Sequence, residues 1–147
     1  MSYNPLLIAN RIVEIKQRLT IMELLKLQYI AHGYSLAILN KPLFKGEIEA
    51  WPYGPVIRKV YNTFRNSQGI HITLPVAIAN SDDEIISSDY ENILQKVISI
   101  YKDKDGWELS ALTHEDNSPW TKTVEAHGFY SEIPNDLTKS YYESLIS

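Results

Sequence analysis

The sequence predicts a mainly α protein: a compact single-domain helical bundle around a buried central helix, with a small β-hairpin or ribbon. Three observations predict it. Residues 21–39, "IMELLKLQYIAHGYSLAIL", are apolar around nearly the whole helical circumference, the mark of a helix enclosed by others. Helix-start signals recur at Asn4–Pro5, Thr20, Ser88, Ser118–Pro119 and Asn135. The 147 residues are 44% hydrophobic and 22% charged, which supports one real core. No repeat, low-complexity tract or linker divides them, so residues 1–147 read as one domain.

The first helix begins with Pro5 at its first position, where no amide partner is lost. Ile8, Ile12, Ile15 and Leu19 follow at helical spacing. Thr20 caps the central helix, and Glu23 completes a capping box by reaching back to the Thr20 amide. Leu19 and Leu24 stand where a hydrophobic staple would. On the central helix, Leu24, Leu27, Ala31, Tyr34 and Ile38 form one stripe; Met22, Leu25, Tyr29 and Leu36 form another.

Ile48, Ala50 and Trp51 suggest a short strand. "GIHITLP", residues 69–75, suggests a second that would pair with residues 47–51. Gly54 and Pro55 read as the cap and first position of a third helix, "PVIRKVYNTFRN", with Val56, Val60 and Phe64 on one face. Residues 75–87 read as a loop. Ser88 and Glu91 read as a capping box for a helix with Tyr90, Leu94, Val97 and Tyr101 inward. Gly106 ends the next connection and "WELSALTH" makes a short helix. Ser118–Pro119 starts another, closed by Gly128, and Asn135 caps the last.

Composition narrows the function. The absence of cysteine rules out disulfides, thiol redox chemistry and thiolate metal sites. No apolar run could span a bilayer. The N-terminus is polar and charged where a signal peptide would be apolar, so a cytoplasmic protein is expected. Net charge is −4. Residues 1–75 carry nine Lys/Arg against four Asp/Glu, and residues 76–147 carry five against fourteen. No run of like charges approaches five or six, so this asymmetry reads as two solvated faces.

No catalytic or metal constellation emerges. His32, His71, His114 and His127 lack metal-ligand spacing. In "THED", residues 113–116, consecutive helical side chains point different ways. "DKDG", residues 103–106, has its glycine two places too early for a calcium loop. Ser110 and His114 lie one turn apart without a nucleophile elbow. Glu47 and Glu49 alternate on the first strand and read as solvated. No phosphate-cradling glycine motif occurs. No enzyme, metal or cofactor is therefore assigned. Arg58, Lys59 and Arg65, with Tyr61 between them, could contact phosphates, but a pI near 5.5 weighs against nucleic acid.

Aromatics remain. Three tryptophans and ten tyrosines are a heavy load of rings with one polar atom each, a composition favoured at binding hot spots. "EAWPYGPV", residues 49–56, concentrates them. Pro52 and Pro55 fix φ, so the stretch reads as a rigid strand-to-helix corner. Trp51 is expected buried against Tyr29 and Tyr34, and Tyr53 partly exposed.

Several blocks resemble the Panacea domain, the SocA/GepA-like family of phage-associated antitoxins. They are Thr20, Lys26–Leu27–Gln28–Tyr29, Ala31, Gly33, Pro42–Leu43–Phe44, Ile48 to Val56 and Val60–Tyr61. "GWELSALTHEDNSPW" resembles the family's second signature through Leu109, Ser110, Thr113, His114, Pro119 and Trp120. Tyr141–Tyr142 also fits, so the resemblance runs over about residues 19–142. It implies a helical antitoxin that neutralises a cognate toxin by direct binding, with family members also linked to a cellular protease, and it implies no enzyme, metal or cofactor. The alternative reading is a nucleic-acid-binding transcriptional regulator or a phage-associated protein of other function. Tyr53, Arg58, Tyr61, His114 and Trp120 are the expected partner-binding residues. Thr20, Glu23, Trp51, Gly54, Pro55 and Pro119 are the expected structural ones.

Overall fold

Helix α2 (Ile21–Leu39) organises the chain. The computed structural model describes residues 3–66, 71–78 and 84–146. Around α2 stand α1 (Pro5–Lys16), α3 (Arg58–Phe64), α4 (Ser88–Tyr101), α5 (Gly106–Thr113) and α7 (Asn135–Ile146). α6 (Pro119–His127) packs on α7 and on strand β1 (Glu49–Trp51), whose antiparallel partner is β2 (Gly54–Val56). The architecture is mainly α, as the sequence predicts.

Local chemistry sets the helix starts. The Asn4 side chain accepts from the Leu6 amide in front of Pro5. The Thr20–Glu23 capping box is present in both directions, at 3.1 and 2.8 Å. Leu19 and Leu24 are fully buried beside it. Asp105 and Glu108 form a second capping box that sequence reasoning missed, although D-x-x-E stands in the chain. Ser118 caps α6 through the Thr121 amide. Two expected caps fall elsewhere. Ser88 is the first residue of α4, and Glu91 instead holds Arg11 of α1 at 2.8 Å. Asn135 is the first residue of α7, and its Oδ1 accepts from His32.

Two close approaches fix the core. At Gly33, α2 meets α7 so tightly that a Cβ would sit 2.2 Å from the Tyr142 ring. This contact gathers Tyr29, Tyr34 and Tyr142, with ring centroids 5.7–6.1 Å apart. Tyr101 of α4 joins through a 3.2 Å contact between its hydroxyl and that of Tyr34. One turn away, buried His32 ties three segments together. Its Nδ1 accepts from the Leu43 amide at 3.2 Å, so its Nε2 carries the proton and donates to Asn135. Burial pulls its pKa down to about 4.

The sheet departs from the expected pairing. β1 pairs with the adjacent residues 54–56 across the two-residue turn Pro52–Tyr53. Ile72 instead bridges Leu19, through bonds of 2.7 and 3.1 Å; Gly69 and Ile70 lie outside the described residues. A local hairpin costs less loop-closure entropy than a pairing some twenty residues away. Nor do Gly54 and Pro55 open α3, which starts at Arg58 without a side-chain cap. Gly54 has φ +117°, a conformation for glycine in a turn and not for a helix cap. Pro55, with no amide hydrogen to donate, suits an edge strand.

Candidate partner-binding face

The hairpin turn is held from behind by three helices. Trp120 of α6 donates its Nε1–H to the Trp51 carbonyl at 2.7 Å. Ser110 of α5 donates its hydroxyl to the Tyr53 carbonyl. Lys26 of α2 donates from Nζ to the Pro55 carbonyl at 3.0 Å. Alternate carbonyls of residues 51–55 thus each meet one side-chain donor. A Cβ at Gly54 would come within 3.0 Å of the Lys26 stem and 3.1 Å of Thr113 Oγ1, and its positive φ is one that other residues rarely adopt, so glycine suits the position. The other edge of β1 bonds to the segment after α6, through Ala50 to Ser131 and Tyr130 and through Ile48 to Ile133. A turn fixed on both edges has little freedom left to lose on binding.

Its aromatic side chains face outward. Tyr53 is 63% exposed and meets Trp107, 66% exposed, edge to face at 6.0 Å. Trp51 is half-buried, not buried, and packs on Tyr61 at 4.9 Å and Tyr130 at 5.5 Å. Contrary to the expectation, it makes no ring contact with Tyr29 or Tyr34 among the described residues; those rings pack on Tyr142. Glu49 Oε1 accepts from both the Trp51 indole and Arg58, each at 2.8 Å, and the Arg58 guanidinium lies over the Trp51 ring. Burial pushes the Glu49 carboxyl up, but the indole and the arginine outweigh it and hold it below its ordinary value. Glu49 is thus an engaged carboxylate, and only Glu47 is the solvated one expected.

The five expected contact residues come together only in part. Tyr53, Arg58 and Tyr61 surround Trp51. Trp120 and His114 pack tilted, at 4.9 Å, on the α6 side, where Trp120 also meets exposed Phe129. Trp120 is half-buried, and its indole N–H is already used in holding the turn. Trp107, Tyr130 and Phe129 are the exposed rings that sequence reasoning did not single out. Ser110 makes no hydrogen bond to His114 among the described residues, and its hydroxyl serves the turn. Glu47 and Glu49 line one groove with Lys45 and Arg58, and His114 lies outside it.

Between Trp51, Tyr61, Tyr130, Met22 and Leu25 the face sinks into a cavity of about 270 Å³. Lys26 is the one charged residue in its wall. That side chain is only 2% exposed, and burial pulls its pKa down to about 8. Among the described residues it has no ion-pair partner.

The family described as antitoxin SocA-like, Panacea domain, matches residues 24–121, which is most of the chain. The chain belongs to this family. The Panacea match begins just before Lys26 and ends just after Trp120, so it encloses all three donors that hold the turn. Antitoxin SocA of Caulobacter vibrioides (strain NA1000 / CB15N) is 30% identical over 115 residues, 73% of this chain and 61% of that relative. The chain therefore spans less than two thirds of the relative's length. No solved structure matches. Among the described residues, no helix is long and apolar enough to cross a membrane, and no three His, Asp or Glu side chains gather as metal ligands.

Proposed function

We propose that this Panacea protein is an antitoxin that neutralises a cognate toxin by direct protein–protein binding, and that the contact is the aromatic face around Trp51–Tyr53. The observation that carries the reading is the pairing of Tyr53 and Trp107. Both are largely exposed and both are hot-spot residue types; Tyr53 sits on a turn pinned from behind and Trp107 on the first turn of α5. The family membership supports the antitoxin role. Nothing in this role asks for catalysis: the protein acts by occupying a surface of its partner.

The interface buries more aromatic and aliphatic surface than charge, so the affinity changes little between low and moderate salt. Arg58 is spoken for by Glu49, which weakens the case for α3 as a phosphate-contacting helix. Co-expression with the product of the adjacent gene tests the reading. Growth is restored by the unaltered chain, and the two proteins purify together. Tyr53→Ala combined with Trp107→Ala abolishes both effects while the protein stays folded. Full rescue by that double variant sinks the assignment of the face.

A further inference from the structure

The cavity beside Trp51 holds an asymmetry that a purely apolar anchor site does not need. Its wall is aromatic and aliphatic except for one residue, Lys26. Lys26 lies within the fold with its Nζ on a neutral carbonyl, that of Pro55. No carboxylate lines the cavity and none pairs with this lysine among the described residues. Glu49, the acid bonded to Trp51, is used by that indole and by Arg58, and Glu23, one turn before Lys26, is used by the Thr20 amide.

We infer that this cavity receives a large apolar side chain of a protein partner whose neighbouring residue is Asp or Glu, with the carboxylate placed in the field of Lys26. The inference rests on the reading of this face as the partner interface and specifies what the face selects. Size argues for a single side chain. At about 270 Å³ the cavity falls below the roughly 300–1,000 Å³ of small-molecule sites. The rim offers edges and faces of Trp51, Tyr61 and Tyr130 that accept a leucine or an aromatic ring. Charge argues for the acid. An ammonium held in low dielectric without a counter-ion is costly, and its field reaches a neighbour with little screening. A carboxylate entering the mouth lowers that cost, whereas a lysine or arginine raises it. The carboxylate need not touch Nζ for this to act. Glu49, beside Trp51, adds no free opposing negative charge, because Arg58 pairs with it over the Trp51 ring.

Panning a random peptide library displayed on phage against the purified full chain tests this without knowledge of the partner. Peptides with Leu, Phe, Tyr or Trp next to Asp or Glu are enriched about tenfold over the starting library. On Lys26→Met, which keeps the stem and removes the charge, the apolar preference persists and the acidic preference disappears. A second measurement does not depend on how that variant folds. In the best peptide, Asp→Asn or Glu→Gln weakens binding to the unaltered chain about tenfold, and the peptide moves the Trp51 indole N–H resonance. The inference is overturned by peptides with no acidic preference, by basic peptides, by enrichment that Tyr130→Ala leaves intact, or by no enrichment at all. A toxin that fails to bind while these peptides are selected would sink the antitoxin reading alone.

Discussion

The two halves of α2 meet aromatic clusters of similar composition and opposite fate. Around Gly33, towards its C-terminal half, α2 packs its own Tyr29 and Tyr34 against Tyr142 of α7, and all three rings are buried. The N-terminal half, from Met22 to Lys26, packs under Trp51, Tyr53, Tyr61 and Tyr130, none of which is buried. The residue types do not decide the difference; the backbone does. Where α2 presents a glycine, α7 closes on it and the rings are sealed in. Where α2 presents a lysine, its long stem props up a hairpin whose carbonyls are satisfied from behind, and the rings are left outside. One cluster holds the fold together, and the other stays open at the surface, where we propose that the partner binds.

The largest effect should come from the sealed cluster. Tyr142→Ala leaves a cavity between α2 and α7 and costs about 4 kcal/mol in chemical denaturation. Gly33→Ala costs about 2–3 kcal/mol by forcing the same two helices apart, despite alanine's better helix propensity. The two changes are coupled, because the added methyl meets the ring that the other removes. The double variant is therefore more stable than the sum of the single effects predicts. Additive effects would show that the close approach at Gly33 is not what binds the cluster.

His32 supports the same end of α2 and gives it a pH dependence. The unfolded chain takes up the His32 proton near pH 6.5, and the folded chain only near 4. Stability from this group is thus complete above pH 6.5 and is lost as pH falls towards 4, by about 3 kcal/mol. A protonated Nδ1 would face the Leu43 N–H, which needs an acceptor. Urea titrations at pH 7 and pH 4 show this drop in the unaltered chain and a smaller one in His32→Gln. An equal drop in both would place the acid sensitivity elsewhere, with Glu49 and Glu91 the next groups to examine.

The hairpin end responds less. Trp51→Ala costs about 2 kcal/mol rather than the larger sum of a sealed ring, since one side of the indole already faces solvent. The loss comes from the ring contacts with Tyr61 and Tyr130 and from the indole hydrogen bond to Glu49, which keeps Arg58. A thermal-unfolding shift as large as that of Tyr142→Ala would erase the distinction between the two clusters.

Much of this division was legible in the chain, and the illegible parts share a cause. α1, α2 and α6 could be read because their start signals act over three or four residues: Asn4–Pro5, Thr20 with Glu23, Ser118–Pro119. The hairpin could not be read in detail. Glycine and proline at positions 54 and 55 serve equally as a helix start and as a turn with an edge strand, and only the positive φ at Gly54 separates the two. Ser88 and Asn135 fit cap patterns, but tertiary partners claimed Glu91 and Asn135 for Arg11 and His32. Of the candidate site, Tyr53 followed from the aromatic stretch, and Arg58 and Tyr61 from the basic segment just after it. Trp107, Tyr130 and Phe129 lie far from it in sequence and carry no local signal. The roles of Lys26 and Ser110 depend on reaching backbone carbonyls 29 and 57 residues away, which no periodicity records. Family blocks pointed to these positions without giving their purpose.

The smallest stability effect carries the central claim. Tyr53→Ala with Trp107→Ala removes two exposed rings and leaves the unfolding free energy within about 0.5 kcal/mol for each site. Titrating this double variant against the proposed toxin partner, beside the unaltered chain, tests the division of labour most directly. The account predicts an affinity loss of about a hundredfold or more with an unchanged unfolding midpoint. Unchanged affinity would contradict it and move the partner's contact to another face of the bundle.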